Sequence, residues 1–146
     1  MSSDGVGTVL EIFISEKEKK SQEKLEFLRL ESRGVVGDKF YDKEINRSVL
    51  ISSIESYNLV KEHDIEIDYG QLGENILLDY NPYALTVGTK IKIGTAVLAI
   101  TQNCTICNHL SVIDKKLPKL LRHDRGIFAK VIEEGEIFRG EKVYIL

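Results

Sequence analysis

The sequence predicts a single, mainly β domain: a closed or nearly closed barrel with a few short helices. Three observations support this. Short runs rich in β-branched and aromatic residues recur along the chain, separated by glycine and proline signals. Helical spacing of apolar residues is found in only two places. No alternating βαβ order is present, which argues against an open parallel sheet.

Taken in order, "GTVLEIFIS" (7–15) has the composition of a strand, and "KLEFLRLES" (24–32) alternates Leu25, Phe27, Leu28 and Leu30 imperfectly with charge. The charge run "EKEKKSQEK" between them predicts an exposed turn. "RSVLISS" (47–53) is a third strand. "SIESYNLVKEH" (53–63) then places Ile54, Tyr57, Leu59 and Val60 near helical spacing, with Ser53 as N-cap. "ENILLDY", "TKIKIG" and "AVLAITQ" are further strands. After the cysteines, Leu110, Ile113, Leu117, Leu120 and Leu121 form a helical stripe, which Pro118 divides because an interior proline costs about 3 kcal/mol. "GIFAKVIEEGEIFRGEKVYIL" closes the chain as two strands joined through Gly135 and Gly140. "VGTKIKI" (87–93) and "RGEKVYI" (139–145) echo one another, each a glycine turn feeding a half-buried strand.

At 146 residues the chain forms one domain, 1–146, able to bury a core without disulfides or metal. Its 42% hydrophobic and 29% charged residues are those of an ordinary globular chain. A net charge of −3 argues against a nucleic-acid backbone as main partner. No run approaches a membrane span, and the first residues do not resemble a signal peptide. The expectation is a cytoplasmic protein with reduced thiols.

Both cysteines lie in "TQNCTICNHL" (101–110). A structural zinc site needs four ligands, and Cys104 and Cys107 have only His63, His109 and His123 to add. A thioredoxin-type redox pair belongs where a strand meets a helix in a βαβ unit, and only the strand and helix are present here. Two small apolar side chains at a strand end are the plainest alternative. The remaining one is a single working thiol, Cys107, whose thiolate would be favoured by free backbone N–H groups at the start of the helical stretch. Arg33, Lys39, Arg47, Arg122 and Arg125 are available to make its neighbourhood anion-binding, although each taken alone fits a surface charge.

In chain order, "GVVGDKF" (34–40), "NRSVLIS" (46–52), "LGENI" (72–76), "ITQNCTIC" (100–107) and "GIFAKVIEEGEIFRGEKV" (126–143) resemble the MOSC domain, the C-terminal domain of molybdenum cofactor sulfurases. The resemblance runs from about Gly5 to the end. It is closest to small stand-alone bacterial forms, without the sulfurases' pyridoxal-phosphate domain. It implies a mostly β barrel of the pyruvate-kinase-barrel type, and a characteristic cysteine five residues after the glutamine of a Thr-Gln pair. Gln102 is that glutamine, so the position falls on Cys107. In the family this thiol is thought to carry sulfur as a persulfide or to ligate the molybdenum of a bound pterin cofactor; either role needs a thiolate. Arg33, Arg47, Arg122 and Arg125 then become candidates for seating the cofactor phosphate, and Asn75 for the pterin edge. The same "LGENI" residues Glu74 and Asn75 can equally be read as shaping a turn. "GVVGD" resembles the family's Gly-x-x-Gly-Asp turn, with Asp38 bonding within it.

Two departures bear on this. Relatives often have Pro-Arg between the glutamine and the cysteine; here the stretch is Asn103-Cys104-Thr105-Ile106, so Cys104 becomes a candidate resolving thiol for a persulfide on Cys107. Phe40 stands where many relatives have histidine. Two functional classes follow. One is a molybdenum-cofactor-linked sulfur carrier or reductase, dependent on an external sulfur donor or electron-transfer protein because the chain shows no iron–sulfur or nucleotide fingerprint. The other is a non-catalytic module binding the pterin, an anion or a protein.

Overall fold

A computed structural model describes residues 5–16, 22–105 and 110–146. Seven strands close on themselves: β1 (Gly7–Ser15), β11 (Lys142–Ile145), β7 (Lys90–Ile93), β8 (Ala96–Asn103), β9 (Ile127–Glu133), β5 (Val49–Ser53) and β6 (Ile76–Leu78) follow one another around the barrel. Closure comes from β1, which pairs with β6 on one side and with β11 on the other. Among the described strands only β5 and β6 run parallel, joined by the crossover helix α1 (Ile54–Glu62), as a parallel pair requires. Ser53 caps α1 by accepting a hydrogen bond from the Glu55 N–H at 3.1 Å.

The barrel interior follows from period-two alternation. Ile91 and Ile93 point in while Lys90 and Lys92 point out, and Val49, Ile51, Ala129 and Val131 continue the same layer. In β1 the inward residues are Val9, then Ile12 and Ile14. A register shift between Val9 and Glu11 changes the phase of the alternation and keeps these side chains in the core. The echoed segments become β7 and β11, which pair directly with Val143 opposite Ile93.

A second sheet, β10 (Gly135–Phe138), β3 (Phe27–Glu31) and β4 (Gly34–Val35), lays Leu28, Leu30, Val35 and Ile137 against the same core. It accounts for two corrections to the sequence expectations. The run 24–32 is two strands, because β2 (Gln22–Leu25) pairs with β1 whereas β3 joins the small sheet after Glu26. The closing segment is three strands, because the chain leaves the barrel after β9 to form β10 and returns as β11. Of the charge run expected as a turn, residues 17–21 lie outside the described residues, and Gln22–Lys24 belong to β2.

Outside the barrel, α1 packs with α2 (Leu110–Ile113) and α3 (Leu117–Leu120) on the outward face of β6. Tyr57, Val60, Leu72, Leu77, Leu110, Leu117 and Leu121 form this cluster. The expected division of the stripe is present, with Pro118 in the first turn of α3, where its missing N–H costs least.

Gly135 starts β10 where it crosses the turn before β8. A Cβ there would lie 2.6 Å from the Thr95 carbonyl carbon and 2.7 Å from the Ala96 nitrogen, both backbone atoms that cannot give way. Gly135→Ala is expected to destabilise the protein by about 2–4 kcal/mol, read as a lower urea midpoint. A wild-type midpoint would show that the sheet crossing is looser than this geometry.

Candidate functional site at the end of strand β8

Strand β8 delivers the cysteine segment. Gln102 and Asn103 lie opposite Phe128 and Ile127 of β9, and the Cys104 N–H makes the next bond, to the Gly126 carbonyl at 3.0 Å. Cys104 is buried against Leu50 and Phe128, outward-facing neighbours in the β5–β9 register. Cys107 and His109 fall outside the described residues, whose flanks here are Thr105 and the buried Leu110.

Arg47 closes the short 3₁₀ turn Ile45–Arg47 immediately before β5, and its guanidinium carbon lies 4.9 Å from the centre of the Phe128 ring. Such a cation–π contact orients the planar guanidinium. Glu44 approaches it at 3.6 Å, and the side chain remains 30% exposed. The buried Nε has no hydrogen-bond partner among the described residues, so one donor of the fork is held and unspent. The turn is tied to β8 by the Thr101 hydroxyl, which donates to the Asn46 carbonyl. Arg47, Phe128, Leu50 and Cys104 therefore form one contiguous group.

Arg33 sits on the neighbouring turn, largely exposed and 3.9 Å from Asp42. A Cβ on Gly34 would lie 3.7 Å from the Ser48 Cβ, so the turns preceding β4 and β5 touch. In "GVVGD", Gly34 and Gly37 have φ of 128° and 89°, as that motif requires. Asp38 receives the Ser15 N–H at 2.7 Å and the Phe40 N–H of its own turn at 3.0 Å.

Asn75 is committed to the fold. Its Oδ1 accepts from the Leu50 N–H at 3.0 Å, and its Nδ2 donates at 3.2 Å to both the Phe13 carbonyl and Asp38. Arg125 is also buried, with Nε and Nη2 donating to the Leu72 carbonyl at 3.2 and 3.1 Å. Both residues lie one step behind the Cys104 floor, Asn75 through Leu50 and Arg125 through the adjoining Gly126. Arg122 is exposed on the turn after α3. The structure thus brings Arg47 and Cys104 together, places Asn75 and Arg125 as supports beneath them, and leaves Arg33 and Arg122 on the surface.

Arg125 also faces a buried acid that the sequence left ambiguous. Glu74 is completely buried; its Oε2 accepts a 2.5 Å hydrogen bond from the Tyr57 hydroxyl, and its Oε1 has no partner among the described residues. The Tyr57 oxygen in turn receives the Gly70 N–H at 2.9 Å. Burial pushes the Glu74 carboxyl up to about 7, against the lowering effects of Tyr57, the Gly70 N–H and Arg125. Burial, reinforced by Glu74, holds the Tyr57 phenol well above its ordinary range. Phe128 and Tyr57 were legible only as apolar side chains. In "GIFAKV" Phe128 reads as core together with Val131, whereas the structure packs Phe128 with Leu50 and Cys104 and only Val131 within the barrel; Tyr57 reads from helical spacing.

Among the described residues no group of three or more His, Cys, Asp or Glu is placed to hold a metal ion. Strand β8 is flanked by antiparallel β7 and β9, unlike the strand of a thioredoxin-type unit. No helix among the described residues is long and apolar enough to cross a membrane.

Fold and site together define the class: a small seven-stranded β barrel whose cation–aromatic stack marks the strand end leading into a cysteine segment. The family model described as MOSC domain matches residues 32–144, and the chain belongs to this family. Strand β1, which closes the barrel, precedes that match. The YuaD protein from Bacillus subtilis is similar in structure at a TM-score of 0.77 and 16% identity, covering 94% of this chain and 93% of that one. YiiM from Geobacillus stearothermophilus follows at 0.70 and 16%, covering 97% and 73%, and YiiM from Escherichia coli at 0.65 and 16%, covering 95% and 69%. No curated protein matches the sequence.

Folding holds the Glu74 proton more tightly than the unfolded chain does, because the folded value near 7 lies above the ordinary 4.5. This carboxyl therefore contributes stability below about pH 4.5 that is lost as pH rises to about 7. Glu74→Gln removes the titration. The variant should gain on wild type by roughly 1–3 kcal/mol across that window in urea titrations; a pH-independent gap would mean that Glu74 stays ionised.

Proposed function

We propose that this chain is a molybdenum-cofactor-linked MOSC protein in which Cys107 either ligates the metal or carries sulfur as a persulfide. The observation that supports the reading most is Arg47, an oriented, partly exposed cation with a buried and unspent Nε donor, stacked on Phe128 beside the strand that leads to Cys107. A phosphate on the cofactor matches that fork, and a thiolate is a soft donor of the kind molybdenum accepts. By this test the residues fit the group. When bound, the cofactor would supply a metal centre able to exchange electrons with a substrate.

Cys107 must be a thiolate, because the thiolate is both the nucleophile and the metal ligand. Phe128 restricts Arg47 to one plane, so less rotamer freedom is lost when an anion is seated. Asn75 and Arg125 act as positioning residues, holding Leu50 and the Leu72 turn. Arg33 and Arg122 add positive potential at the surface. With two cysteines in the chain, an iron–sulfur cluster is not part of the proposal, and electrons or sulfur come from a separate protein.

Molybdenum analysis of protein purified anaerobically from cells that make the cofactor tests this. Cys107→Ser should abolish molybdenum or the extra sulfur, Cys104→Ser should retain it, and Arg47→Gln should reduce cofactor affinity by roughly 10- to 100-fold through loss of a charged hydrogen bond. Zinc lost with either cysteine substitution would replace this reading with a structural metal site. Absence of both metals and of bound sulfur would leave a binding module.

A further inference from the structure

The segment that follows the cysteines carries a surface unlike the rest of the chain. Residues 110–125 hold five cationic side chains against two acids, in a protein whose net charge is −3. Lys115, Lys116 and Lys119 converge on one shallow depression together with Leu120, and all three lysines are exposed. Among the described residues none of them, nor Arg122, has a carboxylate within ion-pair distance. Asp114 is turned inward to the chain, accepting the Lys116 N–H at 2.8 Å.

Apolar side chains lie beside these cations. Val112 is 85% exposed and Ile113 37%, although their neighbours Leu110 and Leu117 are completely buried. Isolated exposed apolar residues are ordinary, but Val112 and Ile113 on α2 come just before Lys115 and Lys116 in sequence, and the lysine-lined depression has Leu120 as its apolar member. This mixture of apolar and unpaired cationic side chains is suited to a protein interface. A nucleic-acid site would need a longer basic track in a chain of positive balance. Val112, the first exposed apolar residue of the patch, follows Cys107 by five positions in sequence.

We propose that the α2–α3 surface is a docking site for a protein presenting an acidic patch around an apolar contact, and that this partner is a sulfur donor carrying a cysteine persulfide. The outer sulfur of that persulfide is attacked by the Cys107 thiolate, so that a new S–S bond forms on Cys107 as the donor's S–S bond breaks and the donor thiolate leaves. The delivery role rests on the reading of Cys107 given above; the docking site does not. Opposite charge steers encounter and sets register, while Val112 and Ile113 supply the desolvated contact that slows dissociation.

The test is binding of a fluorescent glutamate-rich peptide with one central phenylalanine, beside a single-stranded oligonucleotide of equal length. Wild-type protein should bind the peptide, and more weakly as ionic strength rises from about 0.02 to 0.5 M. Lys115→Glu/Lys116→Glu/Lys119→Glu should weaken binding roughly tenfold or more, and the Lys→Gln triple variant by an intermediate factor. Val112→Ser should weaken it roughly threefold with an unchanged salt slope. Peptide binding indifferent to the lysine substitutions overturns the proposal, as does oligonucleotide binding that is tighter and equally lysine-dependent. Cys107→Ser should leave peptide binding intact, so docking can stand even where molybdenum and bound sulfur are both absent and the delivery role falls.

Discussion

Asn75 stands where three segments meet, and every polar group it has is in use. Its backbone N–H donates to Leu50 of β5 and its carbonyl accepts from Phe13 of β1, each at 2.8 Å. Its side chain repeats the pattern, taking the Leu50 N–H and donating to the Phe13 carbonyl and to Asp38. One amide thus does the work of an extra piece of strand at the point where β6, lying between β5 and β1, has not yet begun. A buried amide satisfied in this way is stabilising only while all its partners stay in place, since each orphaned group would cost about 1–3 kcal/mol. Register in the parallel corner of the barrel and the position of the "GVVGD" turn are therefore coupled through this residue.

From that junction the site can be followed outward through contacts. Leu50, held by Asn75, packs on Cys104 and Phe128, and Phe128 carries the Arg47 guanidinium. On the other side, Arg125 binds the Leu72 turn and adjoins Gly126, whose carbonyl receives the Cys104 N–H. The strand end that leads to Cys107 is thus set by buried hydrogen bonds, with the charged and exposed groups added outside them. This division separates residues that build the floor, Asn75 and Arg125, from Arg47, a cation on Phe128 whose Nε has no partner among the described residues.

Glu74 and Tyr57 lie next to this framework. A neutral carboxyl with a raised pKa tolerates burial where an ionised one would not, because removing a charge from water costs several kcal/mol. The same turn also supplies the Leu72 carbonyl for Arg125, so its conformation is secured from two directions.

The sequence by itself determined the class of fold. Alternation and turn residues in 7–15, 47–53, 87–93 and 139–145 are local signals, and each of these segments contains a strand of the barrel. Ser53 and Pro118 likewise act within one turn of themselves, so their roles as cap and as the break in the stripe were visible without neighbours. Tertiary structure decided where strands divide, because a break at Glu26 or after β9 depends on which sheet each half can pair with. It also decided which polar residues are spent. Arg33, Arg47, Asn75, Arg122 and Arg125 are equivalent candidates along the chain, and only burial and partners separate them, since solvation and hydrogen bonding are set by residues distant in sequence.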